Sequence, residues 1–444
     1  MTPVAMNPPG PRGHFLLGNL SDMKNHPLEF MTRCARTYGD VVYLKVAGIP
    51  VYLISHPDLI EHVLVTDNRN FIKPKLLRAA GEVLGNGLLT SEGDFWLRQR
   101  RLMQPAFHRD RIVAYGDAMT ERTSRMLDRW SDGATYDIHR EMMRLTLAIV
   151  ADTLFGVDVE HRAPEVGEAL EVALERFVDR MGLMRMLDRL PLPRNIRFRR
   201  AQRRLDEIIF GIIHERRGAG EDSGDLISML LRAQDDDGAG MTDQQLRDEA
   251  ITLFLAGHET TAIALSWTFH LLAGHPEVED RLVDELRRVL GGRPPSAADL
   301  PDLRYTDMVM RESMRLHPPA WRVGREAVSG CRIGEYDVPA GAQVVMSQWV
   351  VHRDPRFWDD PEAFRPGRWE EERIASLPKF AYFPFGGGAR RCIGDAFATM
   401  EAVLLLAGVM QRAHLAAAPG PAIGYWPSIT LRPTPGIPMT VSLR

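Results

Sequence analysis

Phe385-Gly386-Gly387-Gly388-Ala389-Arg390-Arg391-Cys392-Ile393-Gly394 is the stretch around which this chain is organised, and a predicted helix from Asp395 to Met410 follows it. Its glycines let the backbone approach a flat cofactor without a Cβ clash. Backbone N–H groups near the start of a helix point at the sulfur and stabilise a thiolate. The stretch therefore predicts a site built around one anionic sulfur.

The two other cysteines, Cys34 and Cys331, stand alone and belong to no Cys-x-x-Cys pair. Tetrahedral zinc and iron–sulfur sites need three or four such ligands. One thiolate with a flat approach indicates haem instead. The alternative is a structural cysteine buried in a glycine-rich turn.

Composition narrows the class of protein. The chain has 444 residues, of which 45% are hydrophobic, and a formal charge of −4 that gives no general attraction to nucleic acid or anionic membranes. Three cysteines argue against a disulfide scaffold and for a reducing compartment. No apolar stretch precedes Pro8, and no linker or repeat divides the chain. We expect one cytoplasmic unit.

A second informative stretch begins with the capping box Thr242-Asp243-Gln244-Gln245 and continues as an apolar helix to Ala273. Such a helix is roughly 45 Å long, and it is not a membrane span because Asp248, Glu249, His258 and Glu259 interrupt it. In its middle, Ala256-Gly257 offers close approach to a flat ligand, and the acid–alcohol pair Glu259-Thr260 follows.

The pattern Phe-x-x-Gly-x-Arg-x-Cys-x-Gly resembles the haem-binding loop of the cytochrome P450 monooxygenases, and the resemblance extends over nearly the whole chain. It implies a mainly α fold with a minor β lobe, in which haem b lies between the long helix (242–273) and the Cys loop (385–394). It further implies one domain over 1–444 without a fused reductase, with the β lobe formed by about 40–56, 320–350 and 425–444.

Haem propionates are carboxylates, and arginine neutralises buried carboxylates with paired hydrogen bonds. Trp96 and Arg100 lie one helical turn apart and match the propionate-binding helix of the family, although such a pair is often a core or solvated face. The resemblance also implies propionate contacts for Arg325 and Arg390, and His352 is a candidate with a surface role as its alternative. The expected cofactor-binding residues are Trp96, Arg100, Ala256, Arg325, His352, Phe385, Arg390, Gly394 and Cys392, the last as axial ligand of the iron.

The resemblance implies a catalytic role for Glu259 and Thr260. Oxygen activation needs two protons, and a hydroxyl backed by an acid can relay them. The alternative is a helix kink in which Thr260 bonds back to a carbonyl one turn earlier. The pair favours oxygen and a reductant over peroxide as the oxidant.

Glu312 and Arg315 resemble the Glu-x-x-Arg element of the family, which meets an arginine from a later segment, and we expect that arginine to be Arg368. The implied role is structural. Removing one member of a buried ionic network costs about 3–5 kcal/mol.

The predicted substrate pocket is apolar, and ordinary packing is the alternative for each residue. It points to a lipophilic substrate such as a fatty acid or terpenoid, and the motifs look closer to the fatty-acid hydroxylase branch than to camphor-type members. Met181, Met184 and Met186 are expected in a lid over the channel. The pocket candidates are Phe71, Leu76, Leu84, Leu88, Leu253, Phe254, Trp321 and Val323.

The expected reaction is hydroxylation of a C–H bond with O2 and NAD(P)H-derived electrons. Electrons come from a separate ferredoxin or flavodoxin that binds on the Cys392 side, where Arg98, Arg101 and Arg391 form either a basic patch or a solvated face. We expect a monomer without nucleic-acid partners. The alternatives are a peroxide-driven hydroxylase, an isomerase, and a haem-thiolate sensor without turnover.

Three local predictions concern the backbone. Val41–Val46 and Val51–Ile54 form a hairpin around Gly48. Residues 71–90 form an irregular loop. Strands at 341–350, 429–431 and 439–441 complete the β lobe, with the last two joined by a Pro-Gly turn, and Trp321 and Val323 point the same way.

Overall fold

A computed structural model describes residues 7–156, 169, 172, 192–219, 224–235 and 237–444, so the predicted lid around Met181, Met184 and Met186 lies outside the described residues. The helices are α1 Leu20–Asn25, α2 Pro27–Tyr38, α3 Pro57–Glu61, α4 Lys75–Ala79, α5 Gly81–Leu84, α6 Gly93–Met103, α7 Arg109–Ala114, α8 Gly116–Leu127, α9 Ile138–Phe155, α10 Pro193–Ala219, α11 Leu226–Arg232, α12 Asp243–Ala273, α13 Pro276–Leu290, α14 Arg304–Leu316, α15 Gln348–Val351, α16 Glu371–Ile374 and α17 Asp395–Arg412. The strands are β1 Val41–Val46, β2 Ile49–Ile54, β3 Phe71–Ile72, β4 Thr135–Asp137, β5 Val323–Ala327, β6 Cys331–Ile333, β7 Tyr336–Val338, β8 Gln343–Met346, β9 Ala413–Ala417, β10 Gly424–Pro427, β11 Leu431–Thr434 and β12 Pro438–Leu443.

Internal contacts divide the chain into two compact units. The sheet unit consists of Met1–Lys75, Met308–Cys392 and Tyr425–Arg432. The helical unit consists of Leu76–Asp307, Ile393–Gly424 and Pro433–Arg444. Each unit is therefore assembled from segments that are distant in the sequence.

The sheet unit is built on a five-stranded sheet in the order β1-β2-β8-β5-β3. Strands β1 and β2 form the predicted hairpin, with Val46 opposite Ile49 and Gly48 at φ +85° in the turn. Strand β2 pairs in parallel with β8. Alternate residues of β2 enter two different hydrophobic clusters, Val51 and Leu53 in one and Tyr52 and Ile54 in the other. Burial on both faces explains the unbroken apolar run of this strand.

Two predictions about the β lobe are wrong. The strand predicted over 341–350 ends at Met346, because the Ser347 hydroxyl accepts a hydrogen bond from Val350 N (3.4 Å) and caps helix α15. The segments 429–431 and 439–441 do not pair: β12 lies between β4 and β9 in the helical unit, and β11 pairs with β10. An alternating apolar pattern fits several partner strands equally well, so it does not determine the pairing.

The helical unit is organised around α12, which we call the long helix. The predicted capping box is present, since Gln245 N donates to the Thr242 hydroxyl (3.2 Å) and Thr242 N donates to the Gln245 side chain (2.8 Å). Most residues of the helix are buried, and Phe254 stacks on Phe155 of α9 with ring centroids 3.9 Å apart. Among the described helices, none is both long and apolar enough to span a membrane.

The prediction of an irregular loop over 71–90 is wrong for about its first two thirds. Strand β3 and helices α4 and α5 occupy residues 71–84, and only then does the chain leave regular structure. Gly85, at φ +84°, ends α5, and its N–H donates to Gly81 O (3.0 Å). Glycine at a helix end was therefore misinterpreted as a sign of irregular backbone throughout.

Candidate functional site

The loop 385–392 is closed by its own backbone. Cys392 N donates to Phe385 O (3.0 Å), and Arg391 N donates to Gly388 O (3.1 Å). At Gly388, which has φ +66°, a Cβ would lie 1.8 Å from Leu64 O. This glycine is required by contact with its own protein, whereas the sequence prediction attributed it to a cofactor. Gly386 alone in the run has open space around the position of a Cβ.

The donor set at this loop is a single thiol. Cys392 is exposed, whereas Cys34 is buried. Burial raises the pKa of Cys34 to about 11, so that thiol stays protonated. In the part of the chain that the structure describes, no three His, Cys, Asp or Glu side chains gather where they could hold a metal ion. One accessible sulfur in a rigid turn fits a single axial ligand and does not fit a tetrahedral site.

Two of the predicted propionate ligands, Arg325 and Arg390, lie in the sheet unit. Arg390 Nη1 donates to Phe71 O (3.2 Å), which ties the loop to strand β3. Arg325, on β5, donates through Nη1 to Gly324 O (2.8 Å). Both guanidiniums are half-buried, and their roles toward a propionate remain predictions.

His352 lies in the core of the sheet unit. Its Nε2 accepts a hydrogen bond from Phe383 N (3.0 Å), and its ring packs against Tyr382 with centroids 5.0 Å apart. Burial first, and then the charges of Arg315 and Arg353, hold the pKa of His352 well below its usual value. Because His352 is 0% exposed, the surface role considered as its alternative is wrong, and its contact with a propionate stays a prediction.

The structure brings Glu312, Arg315 and Arg368 together. Glu312 accepts from Arg315 Nε and Nη2 (both 2.9 Å) and from Arg368 Nε (2.8 Å). Two further donors reach the same carboxylate, Arg365 N (3.0 Å) and Trp369 Nε1 (2.9 Å). Glu312 and Arg315 are both 0% exposed, so this network is an internal support of the sheet unit.

In the helical unit, the middle of the long helix carries the predicted catalytic pair, Glu259 and Thr260. Ala256 is exposed, and Gly257 and Thr260 are half-buried, on a helix whose neighbouring positions are otherwise buried. The Thr260 hydroxyl donates to Ala256 O (2.7 Å), which is the back-bond considered as an alternative to catalysis. Glu259 is buried and engaged in contacts. Ala256 and Thr260, one turn apart, thus form an accessible strip next to a buried acid.

Helix α6 holds Trp96 and Arg100, the first buried and the second half-buried. Its Arg98 is committed elsewhere: Nε pairs with Asp235 (2.5 Å), and Nη2 donates to the carbonyls of Ala239 and Gly240 (3.0 and 3.1 Å). Arg98 is therefore a structural tie and not part of a free basic patch.

The predicted pocket residues divide by burial. Trp321 is a core residue whose Nε1 donates to Ser428 O (3.1 Å), and it belongs to a different hydrophobic cluster from Val323, so the two do not point the same way. Phe71 and Phe254 are likewise in the core, and Leu76 is exposed. In the helical unit, Leu84 and Leu253 are buried and Leu88 is half-buried.

Three acids that the sequence analysis did not assign also belong to this region of the helical unit. Asp248 and Glu249 of the long helix were used only to exclude a membrane span, yet both are buried and bonded to residues 86–88. Glu401 of α17 is 0% exposed and neighbours Thr261. The available signal was a charge inside an apolar helical run, which needs a partner.

Comparison with known proteins gives consistent matches. The family model described as Cytochrome P450 matches residues 8–435. Cyclooctatin synthase and cyclooctat-9-en-7-ol 5-monooxygenase of Streptomyces melanosporofaciens are 39% and 38% identical, over 96% and 91% of this chain and 93% and 88% of their own. Pentalenene oxygenase of Streptomyces avermitilis is 37% identical over 89% of this chain and 88% of its own. The crystal structure of the cytochrome P450DA heme domain superimposes with a TM-score of 0.91 at 26% identity, covering 99% of this chain and 98% of that chain.

Proposed function

The chain belongs to the cytochrome P450 family, and from this premise we propose that it hydroxylates a terpenoid with electrons from a separate ferredoxin or flavodoxin. Membership makes the chain a monooxygenase that uses haem b, O2 and NAD(P)H-derived electrons. One observation carries the choice of substrate: relatives that match most of this chain are named for cyclooctat-9-en-7-ol and pentalenene. A terpenoid is therefore proposed as the substrate in place of a fatty acid.

Haem, when bound, supplies the oxidising power of its iron centre. Cys392 would supply the thiolate that binds the haem iron, because its sulfur is exposed in a loop held by the hydrogen bond from Cys392 N to Phe385 O. Arg100, Arg325 and Arg390 would neutralise the propionates. Trp96 would support this arrangement from helix α6.

Proton delivery is assigned to Thr260 and Glu259. The Thr260 hydroxyl donates a hydrogen bond to Ala256 O (2.7 Å), so this bond must break before the hydroxyl can give its proton to another acceptor. Glu259, the neighbouring buried acid, would replace the proton that the hydroxyl gives up. Ala256 keeps side-chain bulk away from the same strip of helix, whereas a Cβ at Gly257 would lie 3.0 Å from Val150 Cγ2 of α9.

The apolar candidates of the helical unit suit a hydrocarbon skeleton. Leu84, Leu88 and Leu253 are aliphatic and buried or half-buried. They offer dispersion contacts but no polar partner for a carboxylate. The carboxylate of a fatty acid would therefore be left unpaired, which costs binding free energy. A largely apolar terpenoid has no such group.

Replacing Thr260 by Ala tests the relay. We expect haem to remain bound while product per NADPH falls about tenfold or more and hydrogen peroxide rises by the matching amount. Thr268→Ala is the matched control, since Thr268 lies on the same helix and its hydroxyl makes the same bond to Ala264 O (2.7 Å). If both variants couple equally to product, Thr260 has only the structural role.

The substrate is tested with the purified chain, a surrogate ferredoxin and its reductase. Spin-state titration and mass spectrometry would compare a tricyclic sesquiterpene hydrocarbon with a straight-chain fatty acid of equal carbon number. We expect the sesquiterpene to bind in the titration and to be oxygenated only when the reductase is present. Selective oxidation of the fatty acid would contradict the terpenoid assignment, and full turnover with hydrogen peroxide alone would contradict the ferredoxin-dependent reaction.

A further inference from the structure

The loop that follows helix α5 is held by two adjacent acids of the long helix. Asn86 N donates to Asp248 Oδ2 (2.7 Å), and Leu88 N donates to Glu249 Oε2 (2.8 Å). Asp248 is 6% exposed and Glu249 is 0% exposed. Hydrogen bonds to ionised acceptors are about twice as strong as neutral ones. We call residues 85–88 the clamped loop.

Each carboxylate uses its second oxygen to bind the rest of the helical unit. Asp248 Oδ1 accepts from Gln244 Nε2 (2.8 Å) and Arg247 Nη1 (3.0 Å). Glu249 Oε1 accepts from Gln99 Nε2 (3.3 Å), on helix α6. Both acids therefore connect the clamped loop to fixed side chains, which leaves little freedom in the position of its backbone.

The glycines of the clamped loop show how closely it lies on the long helix. A Cβ at Gly85 would be 2.1 Å from Asp248 Oδ1. A Cβ at Gly87 would be 2.3 Å from Thr252 Oγ1 and 2.7 Å from Asp248 O. Only residues without a side chain allow this contact.

The contacts also locate the loop along the helix. Positions 248, 252, 256 and 260 are four residues apart, so each is turned about 40° around the helix axis from the one before it. The clamped loop covers Asp248 and Thr252, whereas Ala256 is exposed and Thr260 half-buried. One such step is about 6 Å along the axis. The loop therefore ends next to the accessible strip that contains Thr260.

We propose that Asp248 and Glu249 are positioning residues that fix the clamped loop as a rigid border of the space beside Ala256 and Thr260, and so limit which bulky substrates enter it. This inference rests on the proposed function, since it takes that space as the site of oxidation. Leu88, placed by the bond to Glu249, would be the side chain that sorts substrates by shape. Arg247 extends the linkage to Asp206 of α10 at 2.5 Å.

Hydrogen–deuterium exchange on the haem-loaded chain tests the clamp directly. In Asp248→Asn one carboxylate oxygen becomes an NH2 group and the charge is lost, so the bond from Asn86 N is either lost or made to a neutral amide oxygen and weakened. We expect exchange of the amides of residues 86–88 to accelerate about tenfold or more. Asp243→Asn is the control, because Asp243 pairs with Arg217 (2.5 Å) at the start of the same helix and is expected to leave these amides unchanged. Unchanged protection in Asp248→Asn would overturn the proposal.

Two azoles of different size test the consequence for binding without any assumption about the natural substrate. Gly87→Ala displaces the clamped loop from its own side, and Gly81→Ala is the control because a Cβ there meets nothing within 3.7 Å. We expect Gly87→Ala and Asp248→Asn to change the spectral Kd of 4-phenylimidazole about fivefold or more, and that of imidazole by less than about twofold. Equal effects on both azoles would refute a role in size selection. Because neither readout uses a terpenoid, failure of the substrate assignment is separately recognisable.

Discussion

Replacing Glu312 by Gln should destabilise the protein far more than a neutral isosteric change usually does. Five donors share the Glu312 carboxylate, three on Oε1 and two on Oε2. A Gln side chain presents an NH2 group in place of one oxygen, so either two or three donors lose their acceptor. The charge of Arg315, which is 0% exposed, also loses its counter-ion. Breaking a buried pair in this way costs about 3–5 kcal/mol.

The control is Asp284→Asn. Asp284 and Arg287 have the same i,i+3 spacing on helix α13, but their side chains are 74% and 71% exposed. Exposed pairs contribute about 0–1 kcal/mol, so this variant should unfold almost as the parent does. The two substitutions remove the same kind of pair and differ in burial.

Urea denaturation followed by far-ultraviolet circular dichroism, with haem content matched, measures both variants. Equal slopes against urea would show that the same surface is exposed on unfolding, so that midpoints report free energy. A loss below about 1 kcal/mol for Glu312→Gln, or one equal to that of Asp284→Asn, would refute the argument that burial makes this network essential.

Two further predictions use the same logic. Gly388→Ala should abolish the red-shifted Soret band of the reduced carbon monoxide complex, because the added Cβ would overlap Leu64 O. Gly386→Ala is the control: at φ +70° but with open space it should cost about 1–2 kcal/mol and keep the band. Survival of the band in Gly388→Ala would contradict this prediction. Burial raises the pKa of Glu401 from 4.5 to about 8. Between these pH values the folded chain holds a proton that the unfolded chain has released, so the free energy of unfolding should fall as pH rises from 4.5 through 8. Glu401→Gln should remove that decline in urea midpoints between pH 5.5 and 8.5, and parallel profiles for the two proteins would show that Glu401 does not titrate in this range.

The sequence predicted the long helix well because its signals are local. The capping box at Thr242 and Gln245 fixed its start, and the apolar run fixed its length. The meeting of Glu312, Arg315 and Arg368 was predicted from a resemblance, and the structure shows the atoms in contact. The roles of Cys392 and Thr260 remain predictions.

Features that depend on long-range packing could not be predicted from the sequence. Trp321 and Val323 share a parity that places them on one face of an ideal strand, but Trp321 precedes strand β5 and enters another cluster. Nothing near His352 in sequence reveals that Phe383 N would be its donor. The hydrogen bond from Asn86 to Asp248 joins residues more than a hundred positions apart, so no local sequence pattern predicts it.

The parallel pairing of β2 with β8 imposes a delay during synthesis on the ribosome. Ile54 ends the first strand and Gln343 begins the second, so roughly 290 residues must be added between them, which takes about 15–60 s at about 5–20 residues per second. During that interval the apolar edge of β2, with Val51 and Leu53, has no partner on that side. We therefore expect the nascent chain to need a chaperone to avoid aggregating before its five-stranded sheet exists.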